Sequence, residues 1–103
     1  MLPQSQLDEL PVSEAQEKVE EPPLFQVLLH NDDYTTMEFV VFVLESVFNM
    51  PEDQAVQVML NVHVKGIGVA GVYTLEIAEM KVAKTTALAR EHEFPLLVTM
   101  ERQ

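Results

Sequence analysis

Asn31, Asp32 and Asp33 set an amide oxygen and a pair of carboxylates side by side, between an apolar run and the start of a helical pattern. His63, in a later segment of helical period, can face the same region. Oxygen and imidazole lone pairs grouped in this way offer acceptors to a cation. An α-ammonium suits them: it carries several donors, has a reference pKa of about 8, and is largely charged at neutral pH. Hydrogen bonds between charged partners are the stronger kind. Met37, Met59 and Val62 add apolar surface, and methionine, unbranched and adaptable, suits a pocket that must accept several bulky side chains.

The same residues admit plainer readings. Asn-Asp-Asp in a loop is common turn and capping chemistry. His63 fits a helix boundary, and Met37, Met59 and Val62 fit a core stripe. An enzymatic alternative is a small metal-dependent hydrolase using Asp32, Asp33 and His63, with His30 nearby. Against it, no paired-histidine helical spacing is present. Ser46 lies mid-helix without the flanking glycines of a nucleophile elbow. Composition and spacing alone lead to a small α+β binding domain.

The elements that must position these residues follow from the hydrophobic pattern. Phe25 to Leu29 predicts a strand. Thr35 and Glu38 have capping-box spacing and predict a helix start, with Phe39, Val40, Val43, Leu44 and Val47 at helical period. Asn49 can end that helix, and Pro51 can open another at its first position, with Glu52 and Asp53 near the positive end. Ala55, Val58, Met59 and Val62 form its buried stripe, and Gly66 its C-terminal cap. Ile67 to Tyr73 predicts a further strand. Thr74 can cap a helix whose stripe is Ile77, Ala78, Val82, Thr85 and Leu88, and Leu96 to Met100 predicts a final strand. The expected fold is α+β: a three-stranded antiparallel sheet packed on three helices in the order β-α-α-β-α-β.

Residues 1–23 differ in kind, with six acids against Lys18 and four of the six prolines; they read as a flexible acidic extension to a domain at 24–103. The 103 residues carry a net charge of −11, with six Lys and Arg scattered along the chain, which argues against nucleic acid. No cysteine is present, so disulfides and thiolate metal sites are excluded. No apolar run approaches a membrane span, so cytoplasm is the expected location. Neither cofactor nor metal is expected.

Leu28-Leu29-His30-Asn31-Asp32-Asp33-Tyr34-Thr35-Thr36-Met37-Glu38-Phe39-Val40 closely resembles the ClpS family of Clp-protease adaptors. So do Met59 to Gly66, Gly71 to Thr74, Glu76 to Glu79 and Phe94 to Leu97, in the family's order and spacing. The resemblance implies a non-hydrolytic adaptor that binds N-degron substrates beginning with Phe, Leu, Tyr or Trp. It would deliver them to the N-domain of the ClpA unfoldase for degradation by ClpAP. By the same resemblance, Asn31, Asp32, Asp33, Thr35 and His63 hold the amine. Met37, Val40, Met59, Val62 and Leu96 line the side-chain pocket, with Met37 as a gate against Ile and Val. Glu76 and Lys81 lie on the docking face. Thr36 departs from the pattern, standing where many relatives have proline.

Overall fold

The computed structural model describes residues 21–103, so the acidic extension expected at 1–23 lies almost wholly outside the described residues. Six elements follow in order: β1 (Leu24–His30), α1 (Met37–Ser46), α2 (Glu52–Lys65), β2 (Ile67–Thr74), α3 (Leu75–Glu91) and β3 (Leu97–Arg102). The expected architecture is therefore the one observed.

β1 is the middle strand of a three-stranded sheet in the order β2-β1-β3, and both of its pairings are antiparallel. Its apolar run splits between faces by the period of two. Val27 and Leu29, both 0% exposed, join the main core. Leu28 faces the opposite way, beside Val69 and Thr99. A bulge sets Ala70 and Gly71 against Val27, because Val27 pairs with Gly71 while Leu28 pairs with Val69. Gly71 is needed there: a Cβ would collide with the ring of Tyr73.

α1 buries Phe39, Val40, Val43 and Leu44, the stripe its periodicity predicts. Its cap differs from expectation. Thr36, not Thr35, is the N-cap, and its hydroxyl accepts from the Phe39 amide at 3.1 Å. The Thr35 hydroxyl instead donates to Asp32, so no capping box with Glu38 forms. Pro51 is the N-cap of α2 rather than its first helical residue. Gly66 ends α2 in the left-handed region at φ 89°, where only glycine is unstrained. α3 packs on the sheet through the small residues Ala78, Thr85 and Ala89. Ile77, expected on that stripe, is 45% exposed, one position out of phase with Ala78.

Three contacts tie these layers together. Gly68 lets α2 approach β2, since a Cβ there would sit 2.6 Å from a Val62 methyl. Phe39 packs on Phe94 at 4.8 Å between ring centres, fixing the first turn of α1 to the link before β3. The Lys81 ammonium donates to the Val47 carbonyl at the end of α1 at 2.6 Å and lies over the rings of Phe48 and Tyr73.

Candidate functional site

The loop from Asn31 to Thr36 carries the polar half of the site, and Asp32 gives the loop its shape. Its Oδ1 accepts from the amides of Tyr34 at 2.8 Å and Thr35 at 2.7 Å, while Oδ2 accepts from the Thr35 hydroxyl at 2.7 Å. This is the local side-chain-to-backbone bonding by which aspartate organises turns. Partial burial pushes the Asp32 carboxyl pKa up. The Thr35 hydroxyl, the Thr35 and Tyr34 amides and the field of Arg90 outweigh that and hold it below its ordinary value.

The loop is fastened to α2 by the Asn31 amide, which donates to the Gly66 carbonyl at 2.9 Å. This bond brings the end of β1 beside the last turn of α2, where His63 lies. The side chains of Asn31, Asp33 and His63 are exposed, and the side-chain hydrogen bonds among the described residues engage none of them. Their donors and acceptors face solvent unspent.

Between loop and helices is a cavity of ≈ 340 Å³. Its polar end is formed by Asn31, Asp32, Asp33, Thr35 and His63, and its apolar end by Met37, Val40, Met59 and Val62. Val62 and Val40 are buried, Met59 is half-buried, and Met37 is 45% exposed. The volume is in the range of sites that enclose a small molecule or one large side chain. Tyr34 and Thr36 also line the cavity, which the residue pattern did not single out. Tyr34 had a signal, being an aromatic set among acids in a loop. Thr36 is there because the helix begins one residue later than its spacing predicted.

Leu96 corrects the expected wall. It is 1% exposed and belongs to the central core with Val40 and Val62, not to the cavity surface. Glu76 is exposed in the first turn of α3, whereas Lys81 is turned inward onto Val47. Among the described residues, no three His, Asp or Glu side chains converge as metal ligands. The Asp32 carboxylate is engaged by the loop donors of Tyr34 and Thr35. Among the described residues, no helix is long and apolar enough to cross a membrane.

A pocket with acceptors at one end and apolar walls at the other, on a small α+β scaffold, defines a ligand-capturing domain. Comparison with known proteins makes the class specific. Residues 20–99 match the ClpS family, described as "ATP-dependent Clp protease adaptor protein ClpS". The ATP-dependent Clp protease adapter protein ClpS of Hyphomonas neptunium is 55% identical over 88% of this chain and 77% of its own length. That of Lawsonia intracellularis is 59% identical over 84% and 79%. A solved structure, Agrobacterium tumefaciens ClpS2 bound to L-phenylalaninamide, superposes with a TM-score of 0.78 at 44% identity, covering 81% of this chain and all of that one.

The chain belongs to the ClpS family of Clp-protease adaptors. That family consists of adaptors rather than proteases or other hydrolases.

Proposed function

We propose that this chain captures proteins by an N-terminal Phe, Leu, Tyr or Trp and delivers them to the ClpA unfoldase for degradation by ClpAP. The observation that carries the reading is the division of the cavity. Free acceptors of Asn31, Asp33 and His63 lie at one end, and Met37, Val40, Met59 and Val62 at the other. The phenylalaninamide held by the Agrobacterium relative has the matching chemistry, a free amine beside an apolar ring.

Magnitudes show why both ends are needed. Burying one large apolar side chain contributes about 1.5–3 kcal/mol. Charge-assisted hydrogen bonds add roughly 1.5–3 kcal/mol each before desolvation and ordering costs. Micromolar affinity needs about 8 kcal/mol net. An internal Phe lacks the amine, and an N-terminal Lys or Asp lacks the apolar group.

In this reading Asp32 and Thr35 shape the amine site while Asn31, Asp33 and His63 contact the ligand. Met37, at the exposed mouth, rejects side chains branched at Cβ. Glu76 lies on the face that docks on the ClpA N-domain, and Lys81 steadies that face from within. The chain before residue 24 serves as an extension that the unfoldase engages, and the protein works in the cytoplasm as an adaptor without catalysis of its own.

The test is titration with a Phe-initiated peptide and its N-acetylated twin. Acetylation is expected to weaken binding at least ~10-fold, the loss of one charge-assisted bond. Equal affinities would overturn the reading.

A further inference from the structure

Tyr34 is a wall shared by two hollows. On one side is the cavity already described; on the other is an open groove of ≈ 550 Å³ lined by Tyr34, Arg90, Glu93, Phe94 and Pro95. We propose that this groove is a further subsite, which receives the second and third residues of the captured chain and favours an apolar side chain there. The proposal rests on the N-terminal reading above.

Several contacts define the groove's walls. The Tyr34 amide is held by Asp32 while its side chain stays 78% exposed. Phe94 is locked against the buried Phe39, and Pro95 has no backbone freedom at φ. A preformed apolar floor, here Phe94 and Pro95 between the charged Arg90 and Glu93, spares a ligand part of the ordering cost that weakens loose contacts.

Arg90 supplies the polar element. Its Nη1 donates to the Phe94 carbonyl at 2.7 Å, which fixes the guanidinium at the rim, and none of the hydrogen bonds among the described residues uses its other nitrogens. A guanidinium has further N–H donors in a fixed plane, and an extended chain presents backbone carbonyls as acceptors. Arg90 is also near enough to the amine site for Asp32 to feel its charge.

Reach agrees with this placement. An extended chain advances about 3.3 Å per residue, so its third residue lies roughly 7 Å beyond the first. Tyr34 lines both hollows, so a segment of that length passing its ring would run from one into the other.

The experiment compares phenylalaninamide with longer peptides beginning Phe-Gly-Gly and Phe-Leu-Leu, identical thereafter. The Leu-Leu peptide is expected to bind about tenfold more tightly than the Gly-Gly peptide, the effect of one partly buried apolar side chain. In Arg90→Gln both peptides should bind about tenfold less tightly while phenylalaninamide affinity falls less, since the backbone carbonyls of the longer chains lose their anchor. Because Arg90 also braces the link before β3, Tyr34→Ser provides an independent check. It removes the shared wall but keeps the backbone hydrogen bonds to Asp32, and only the Leu-Leu to Gly-Gly ratio is read; that ratio should fall below about threefold. Equal affinity of the two peptides for the unaltered protein, a Leu-Leu advantage surviving Tyr34→Ser, or unchanged affinity of both peptides for Arg90→Gln, would overturn the subsite. If phenylalaninamide and its N-acetyl derivative bind alike, the N-terminal reading itself has failed, a result distinguishable from loss of the subsite alone.

Discussion

Asp32 grips Thr35 with both carboxylate oxygens, one on the backbone amide and the other on the hydroxyl, each at 2.7 Å. The pair fixes the loop so that Asp33 and Tyr34 project outward beside the cavity. Asp32→Ala should cost about 1–2 kcal/mol of stability, in the range of a lost helix-cap side chain, and weaken peptide binding as the loop loosens. Chemical denaturation together with peptide titration measures both. A variant with unaltered midpoint and affinity would show that the loop is held by other contacts.

The same carboxylate gives a pH dependence of definite sign. Burial raises its pKa, but the Thr35 and Tyr34 donors and Arg90 win, leaving the folded value below the ordinary 3.8. A depressed folded pKa means that the unfolded chain takes up the proton first as pH falls. The stabilisation is therefore complete above about pH 4, near the unfolded aspartate value, and lost as pH drops through the folded value. Carboxyl-detected NMR should give an Asp32 midpoint under 3.8, and Asp32→Asn should flatten the acid limb of the stability curve. A midpoint above 4 would contradict the balance of causes.

Gly68 should resist enlargement because of what it faces. An added Cβ would meet the Val62 methyl at 2.6 Å, forcing α2 away from β2. Gly68→Ala is expected to cost roughly 1–3 kcal/mol as an overpacked core and to distort the cavity that Val62 lines. Adding Val62→Ala should restore part of the stability of the glycine variant. Strictly additive effects in this double-mutant cycle would show that the two positions do not press on one another.

Thr85 offers a gain rather than a loss. Its side chain is fully buried, and its hydroxyl has no hydrogen-bond partner. A buried unsatisfied polar group costs about 1–3 kcal/mol, so Thr85→Val, which keeps the shape, should raise stability by about 1 kcal/mol. Thermal and denaturant midpoints would both rise; a fall in both would mean that the hydroxyl has an undetected partner.

Lys81 and Glu76 allow bracing and the proposed docking to be tested separately. Lys81→Met retains the apolar stem but removes the donor to Val47 and the charge over Phe48 and Tyr73, with an expected cost of about 1–2 kcal/mol. Glu76→Lys should leave stability within about 1 kcal/mol, the scale of a helix-end charge effect, yet weaken unfoldase docking in a pull-down with the isolated N-domain. If docking were unaffected by Glu76→Lys, that residue would lie outside the contact face.

Element type and order were legible because each long segment keeps one period, as the Phe39, Val40, Val43 and Leu44 stripe does in α1. What escaped was finer than that period. Thr35 and Thr36 are chemically equivalent as caps, and the choice turned on Asp32 claiming the Thr35 hydroxyl, a contact that spacing does not reveal. Leu96 was expected on the pocket wall, yet its side chain lies in the core beneath the sheet's helical layer. Ile77 and Ala78 differ by one helical step, enough to turn the larger residue to solvent and leave the smaller one against the sheet. The roles of Gly68 and Gly71 depend on Val62 and Tyr73 in space, which a linear pattern does not contain.

The bond from the Asn31 amide to the Gly66 carbonyl joins two ends of the chain's long helical excursion, closing the excursion into a ring. With the adjacent pairing of His30 and Ile67, that bond holds the loop acceptors beside His63. If the cavity binds as proposed, capture depends on that closure, and a seated ligand would in turn help to keep the ring shut.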